Sequence, residues 1–157
     1  MENKTRFKIV LFAPEIPGNT GSIGRTCVAL NLELILIKPY GFSLDEKAVR
    51  RAGLDYWKHV KLREFESWSD FIEKEKPARE KIILIENTTT KKYYYDAPYS
   101  EDCYLVFGRE TSGLSKEIED EYRDNMYQLP MYSEHIRSLN LSNVATTVAY
   151  ECLRHLL

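Results

Sequence analysis

The sequence predicts an α/β fold in which a mostly parallel sheet is flanked by helices. Two observations lead to this prediction. Short runs rich in Ile, Val and Leu recur along the chain, as is typical of strands covered on both faces. Helical patterns lie between those runs, and such alternation favours a parallel sheet. Because the chain has 157 residues, we expect one domain over 1–157 with a substantial core.

Five strands are predicted from short apolar runs. In chain order they cover residues 7–12, 33–37, 81–85, 104–107 and 126–129. Helical patterns follow the first, second and fourth of these runs, and residues that commonly cap helices stand before them. The helices are predicted from Asn19 or Thr20 to Leu30, over 45–52 before Gly53, from Ser67 or Ser69 to before Pro77, and from Ser115 to Tyr122.

The final helix gives the most regular pattern of the sequence. Its apolar residues recur at spacings of three and four, so one face is buried. That face comprises Leu141, Val144, Ala145, Val148, Ala149, Cys152, Leu153 and Leu156. Asn140 or Ser142 can cap its start. The loop before it carries more polar groups than capping requires, beside the free N–H groups of a helix terminus. We therefore expect an anionic or strongly polar ligand there.

Composition excludes several classes of protein. No apolar run approaches the ~18 residues of a membrane span, and residues 1–8 are too polar for a signal peptide. The three cysteines match neither a disulfide framework nor a zinc site, so we expect packed, reduced thiols in a cytoplasmic protein. The three histidines lack metal spacing. We therefore expect no metal and no membrane association.

The net charge of −2 argues against a general nucleic-acid coat protein but leaves a local basic face open. One basic cluster lies between residues 47 and 63. It contains Lys47, Arg50, Arg51, Lys58, Lys61 and Arg63. From the residues alone, a solvated charged surface and an RNA-facing patch are equally good interpretations.

Three further segments carry polar chemistry at predicted strand ends. The segment 14–26 contains two prolines, three glycines, Asn19 and Arg25 between a strand and a helix. It differs from a phosphate-binding P-loop, which needs Lys where Arg25 stands. A helix-capping turn with an exposed Arg25 is the alternative. Segments 105–114 and 128–131 also follow strands, at the sheet edge where α/β proteins bind ligands. No GxGxxG motif follows the first strand, which disfavours a Rossmann nucleotide site.

Together these segments resemble a known family. The patterns Asn19-x5-Arg25, Phe107-Gly108-x-Glu110-x2-Gly113-Leu114, Leu129-Pro130-Met131 and 137–143 occur in the order of its three motifs, and 50–56 is a further marker. The chain resembles the SPOUT superfamily of methyltransferases and, within it, the TrmL (YibK-like) tRNA 2′-O-methyltransferases. The resemblance covers essentially the whole chain.

The resemblance implies a fold and a cofactor. In the family, the C-terminal part of the sheet threads through a loop to form a deep trefoil knot, which binds S-adenosylmethionine largely through backbone groups. The cofactor-binding residues implied by position are Glu86, Gly108, Leu129, Ser138, Leu139 and Asn140. Glu86 departs from the small polar or apolar residue expected there.

The resemblance also implies a reaction, which is methyl transfer to a ribose 2′-hydroxyl of the wobble nucleotide 34, cytidine or modified uridine, in leucine tRNAs. It implies catalytic roles for Asn19, Arg25, Arg137 and Tyr150 and a homodimer with the last helix at the interface. A buried interface aromatic is the alternative for Tyr150. Candidate RNA contacts are Arg50, Arg51, Lys58 and Lys61. Lys91 and Lys92 with the tyrosines at 93–95 are further candidates, for contacts to the anticodon arm and stacking on bases. Another tRNA position or ribosomal RNA is an alternative target, and a non-catalytic RNA-binding protein is a third interpretation.

Overall fold

The computed structural model describes residues 5–44, 56–88 and 91–157. In this part of the chain, six strands form one sheet. They are β1 Lys8–Phe12, β2 Glu33–Ile37, β3 Lys61–Phe65, β4 Ile82–Ile85, β5 Tyr104–Phe107 and β6 Met126–Tyr127. Their order across the sheet is β3-β2-β1-β5-β4-β6, and every neighbouring pair is parallel. The predicted parallel sheet is confirmed.

In the described ranges, four α-helices cover the sheet. They are α1 Pro17–Leu30, α2 Trp68–Glu75, α3 Lys116–Glu121 and α4 Leu141–Leu156. Short 3₁₀ turns stand at 57–59, 79–81, 94–96 and 123–125. The helix predicted over 45–52 lies outside the described residues. The other predicted helices are confirmed to within a few residues at their ends.

Side chains alternate along each strand, so the sheet has two apolar faces. One face packs against α1 and α4 and includes Ile9 and Leu105, both fully buried. The opposite face packs against α2 and α3 and includes Val10 and Val106, also fully buried. The central strands are therefore covered on both sides, which is why they are apolar at nearly every position.

The apolar stripe of α4 was predicted correctly. Ala145, Val148, Ala149 and Cys152 are fully buried against the sheet. The remaining apolar residues of the stripe are partly buried against the same cluster. Asn140 is the N-cap, and its side-chain oxygen accepts hydrogen bonds from the backbone N–H groups of Ser142 and Asn143.

Strand β3 was missed by the sequence prediction. It lies at the edge of the sheet and pairs only with β2. Charged side chains are common on edge strands because they face water and discourage pairing with other chains. The Lys, Arg and Glu residues of β3 therefore gave no apolar run to recognise.

The predicted cap of α1 was wrong. The helix begins at Pro17, two residues earlier than expected, and Ile16 at the N-cap position makes no side-chain capping bond. Proline is well suited to the first helical position because the N–H group it lacks has no partner in that turn. Asn19 and Thr20 therefore lie inside the helix and are buried.

Candidate functional site

The main cavity lies at the carboxyl edge of the sheet. Strands β4, β5 and β6 end there, beside the loop that leads into α4, and they enclose a volume of about 510 Å³. The strand order changes direction between β1 and β5, and ligands of α/β proteins bind at such switch points. Eight of the ten catalytic and cofactor-binding residues predicted from the sequence line the cavity. They are Asn19, Glu86, Gly108, Leu129, Arg137, Ser138, Leu139 and Asn140.

The loop after β5 folds tightly on itself. The backbone groups of Arg109 and Gly113 exchange two hydrogen bonds, of 3.1 and 2.9 Å. A Cβ atom on Gly108 would lie 2.5 Å from the backbone of both Gly113 and Leu114, which is shorter than any real contact. Gly113 has a φ of +68°, a conformation that favours glycine. Both glycines are therefore required to bring this backbone to the cavity wall.

Glu86 contributes its side chain to the cavity. One carboxylate oxygen accepts the backbone N–H of Leu114 at 2.7 Å, and the other accepts the N–H of Asn87 at 3.2 Å. Desolvation by burial raises the pKa of this carboxyl above its usual value, although the two N–H donors act in the opposite direction. The backbone N–H of Glu86 is already bound to the carbonyl of Tyr127. Any ligand contact from Glu86 must therefore use its side chain or its carbonyl.

Two asparagines join the first motif to the last. The side-chain amide of Asn140 donates to the side-chain oxygen of Asn19 at 3.2 Å, across 121 residues of sequence. Asn19 is only 8% exposed. Asn140 thus caps α4 and fixes Asn19 at the same time, so the start of α4 and the first turn of α1 form one rigid corner of the cavity.

Glu110 has a structural role that the sequence analysis did not assign. Its carboxylate accepts the backbone N–H groups of Glu15 at 2.8 Å and Ile16 at 3.1 Å. In return, the carboxylate of Glu15 accepts hydrogen bonds from the backbone N–H and the hydroxyl of Thr111. These bonds lower the pKa of Glu15. Glu110 thus holds the two residues before α1 and joins the loop after β1 to the loop after β5.

Arg25 and Tyr150 lie outside the cavity. Arg25 is exposed on α1, with its guanidinium 5.2 Å from the centre of the Tyr56 ring. Tyr150 is 53% exposed on α4. The two helices are in contact, and a hydrogen bond of 2.8 Å joins the hydroxyls of Thr26 and Thr146. The structure therefore divides the predicted residues into two groups. Eight line the cavity, and Arg25 and Tyr150 are exposed on helices α1 and α4.

The basic candidates are only partly described. Arg50 and Arg51, like Lys47, lie outside the described residues. Lys58 is exposed, whereas the ammonium of Lys61 donates to the side-chain oxygen of Asn31 at 2.7 Å. Arg63 is neutralised by Glu33 and Glu75. The guanidinium of Arg63 thus forms ion pairs within the chain, at the edge of the sheet.

Three other expectations concern metals, membranes and thiols. Among the described residues, no group of three or more His, Cys, Asp or Glu side chains could hold a metal ion. No helix in the described ranges is long and apolar enough to cross a membrane. Cys27, Cys103 and Cys152 are free and buried, as predicted. Burial raises the pKa of the Cys27 thiol well above its usual range, so it remains protonated.

Comparison with known proteins identifies relatives over nearly the whole chain. A model described as the SpoU rRNA Methylase family matches residues 6–150. The tRNA (cytidine(34)-2′-O)-methyltransferase of Saccharophagus degradans is 43% identical over 151 residues, which cover 96% of this chain and 96% of that protein.

Solved structures give the same result. One, which concerns the 2-OH methylation of C/U34 on tRNA, is 38% identical, with a TM-score of 0.84 over 96% of this chain and 95% of that chain. The SpoU methyltransferase AviRb from Streptomyces viridochromogenes, solved in complex with the cofactor AdoMet, is 27% identical. It has a TM-score of 0.77 over 98% of this chain and 62% of that chain.

Proposed function

This chain belongs to the SpoU rRNA methylase family, and from that membership we propose that it methylates the ribose 2′-hydroxyl of nucleotide 34 in tRNA, using S-adenosylmethionine. The observation that carries the proposal is the convergence of all three motifs on one cavity at the carboxyl edge of the sheet. The family and its methyltransferase activity were predicted from those motifs, and the comparisons confirm both.

The cavity fits the proposed cofactor. Its wall combines apolar side chains, such as Ile85 and Leu139, with the carboxylate of Glu86 and polar groups of Ser138 and Asn140. Such a mixture suits an aromatic base at one end and a charged amino acid at the other. The closely packed glycine loop leaves backbone groups of Gly108 at the surface of the cavity. We propose that Glu86, Gly108, Leu129, Ser138, Leu139 and Asn140 hold the cofactor.

The bound cofactor supplies an electrophilic methyl group on a sulfonium. The task of the protein is then to align a ribose hydroxyl with that methyl group and to assist loss of the hydroxyl proton. Asn19 is suited to positioning, because Asn140 fixes its side chain at the edge of the cavity. Arg137 lines the same cavity and can attract a phosphate of the RNA backbone.

Arg25 is proposed to stabilise the developing alkoxide or to hold a phosphate. A guanidinium keeps its proton in proteins, which makes it unsuitable as a base. Because Arg25 is exposed, replacing it leaves the fold intact. Arg25→Lys keeps the charge but loses the planar donors, so we expect a large fall in kcat. Near-normal turnover of this variant would show that a point charge suffices.

A homodimer would bring the exposed helical surface into the site. Arg25 and Tyr150 stand on two helices that contact one another but do not line the cavity of their own chain. Pairing of α1 and α4 across two chains would give these residues a place in a shared site. From the same family resemblance, we propose that the C-terminal part of the chain forms a deep trefoil knot. Sedimentation at several protein concentrations tests for the dimer.

The proposed substrates are leucine tRNAs with cytidine or a modified uridine at position 34, which implies a cytoplasmic location. The test is transfer of labelled methyl groups into total RNA from a strain that lacks this protein, followed by mapping of the modified nucleotide. We expect label at position 34 of tRNA. Label in ribosomal RNA or at another tRNA position would show that the substrate is that RNA and not nucleotide 34. Failure of the protein to bind the cofactor in calorimetry would overturn the proposed activity.

A further inference from the structure

Another, smaller groove lies beside the main cavity. We call it the tyrosine groove. It has a volume of about 240 Å³ and is lined by Asn87, Tyr93, Gln128 and residues 129–132. Asn87, Leu129 and Met131 line the main cavity as well. A group bound in the tyrosine groove would therefore be adjacent to a group bound in the cavity.

The rings beside the groove are held by backbone pairing. Tyr93 forms an isolated parallel bridge with Gln128, just beyond the end of β6. The N–H of Tyr94 donates to the carbonyl of Gln128 at 2.9 Å. The rings of Tyr93 and Tyr95 stack with centres 5.6 Å apart and an angle of 30°. These contacts give a flat aromatic surface whose position is fixed before any ligand binds.

Two further tyrosines lie at or near the groove and are exposed. Tyr132 lines the groove and is 94% exposed. Tyr95 next to Tyr93 is 42% exposed. Aromatic side chains that are exposed beside a groove are suited to stacking on a flat partner, because the ring gains buried area without losing much flexibility.

The floor of the groove offers polar groups of both kinds. The side-chain amide of Asn87 donates to the carbonyl of Arg137 at 3.0 Å, and its oxygen accepts no bond among the described residues. The side-chain oxygen of Gln128 accepts the N–H of Thr88 at 3.1 Å, while its amide donates to no described residue. One acceptor and one donor are thus available for the edge of a base. Arg137 lines the adjacent main cavity, where its positive charge is available for a phosphate.

We propose that the tyrosine groove binds the base of the target nucleotide while its ribose faces the main cavity. Flat rings, polar groups at the floor and a neighbouring cation occur together where proteins bind unstacked bases of RNA loops. This inference rests on the proposed function, because it takes a tRNA loop as the partner. It adds a binding site for the base, which neither the motifs nor the relatives assign.

The test compares ring variants on two RNA probes. The first probe is a fluorescently labelled leucine tRNA transcript with C34, and the second carries an abasic ribose at position 34 with its 2′-hydroxyl intact. We expect Tyr132→Ala to weaken binding of the first probe about tenfold, since stacking on one ring contributes on that order. Binding of the abasic probe should change less than about twofold by the same reasoning. Tyr132→Phe should bind like the wild type.

Leu157→Ala is the matched control, because Leu157 is 85% exposed at the far end of α4. It should bind both probes like the wild type. Equal weakening on both probes, or none on the first, would overturn the groove as a base site. A change in oligomeric state of Tyr132→Ala would also overturn it, by assigning the groove to a protein partner.

Methyl transfer by the wild type separates this inference from the proposed function. Transfer to C34 without any effect of the ring variants would overturn the groove and leave the function standing. Base-dependent binding through the rings without transfer to C34 would support the groove and overturn the proposed function. Failure of the wild type to bind either probe would overturn the groove as well.

Discussion

Different kinds of side chain pack on the two faces of the sheet. On the α2–α3 face, aromatic rings pack edge to face, as in Phe65–Phe71 at 5.4 Å and Trp68–Tyr122 at 5.8 Å. On the α1–α4 face, small side chains such as Ala145 and Ala149 let the helices lie close to the strands. The polar residues that start or precede these two helices line the cavity. Both faces carry buried core, but none of the buried residues of the α2–α3 face lines the cavity. Substitutions on the α2–α3 face should therefore affect stability without affecting the site.

The largest expected effect falls on the aromatic face. Phe71 is fully buried, and its ring lies 5.3 to 5.6 Å from those of Trp68, Phe65 and Tyr104. Phe71→Ala should lower the free energy of unfolding by about 3–5 kcal/mol, measured in urea. The molecules that remain folded should bind S-adenosylmethionine with unchanged affinity. Loss of affinity in the folded fraction would show that the two faces are coupled.

The next effect falls on the glycine loop of the site. Gly108→Ala brings a Cβ atom to 2.5 Å from the backbone of Gly113, so the loop must shift. We expect cofactor affinity in calorimetry to fall by at least about tenfold, as for other overpacked sites. Gly18→Ala is the control, because a Cβ there meets nothing within 4 Å. Equal affinity for the two variants would contradict a close approach at Gly108.

Two helix caps provide a direct comparison between the faces. Asn140 caps α4 beside the cavity, and Ser115 caps α3 on the aromatic face. Asn140→Ala and Ser115→Ala should each lower the free energy of unfolding by about 1 kcal/mol. Only Asn140→Ala should also weaken cofactor binding, because Asn140 lines the cavity and Ser115 does not. Similar cofactor affinities for both variants would show that Asn140 acts only as a helix cap.

The smallest expected effect is a difference in pH dependence. Burial raises the pKa of Glu86 above its ordinary value of 4.5, so the folded protein keeps this proton to higher pH than the unfolded chain. Its contribution to stability therefore decreases as pH rises from 4.5 through the folded pKa. Glu86→Gln should become more stable relative to wild type over that range.

Asp70 on α2 should behave in the opposite way. A hydrogen bond from Lys74 and another from the backbone of Glu66 lower its pKa below the ordinary 3.8. Its contribution is present above 3.8 and is lost as pH falls through the folded pKa. Asp70→Asn should thus be less stable than wild type at neutral pH and approach it in acid. Urea unfolding from pH 3 to 8 compares the two variants, and trends of the same sign would refute this difference.

Much of the fold was predictable because it follows from local pattern. Strands β2 and β5 were predicted to the residue, since both are short apolar runs between turns. The buried stripe of α4 follows from its spacing alone. Strand β3 was missed because an edge strand can be charged. The start of α1 was misjudged because Pro17 opens the helix without a capping side chain, whereas the prediction relied on one.

The sequence by itself determined the parallel α/β class, the polar start of α4 and the motifs that mark the family. Only the tertiary structure decided how those motifs meet. It brought Asn140 within hydrogen-bond distance of Asn19 and the side chain of Glu86 within that distance of Leu114. It also placed a carboxylate from each of the loops after β1 and β5 where it accepts hydrogen bonds from the other loop. It also separated Arg25 and Tyr150 from the cavity and aligned Tyr93 with Gln128. The physical reason is that periodicity reports which side of an element is buried, whereas hydrogen bonds between distant loops depend on how the whole sheet is assembled.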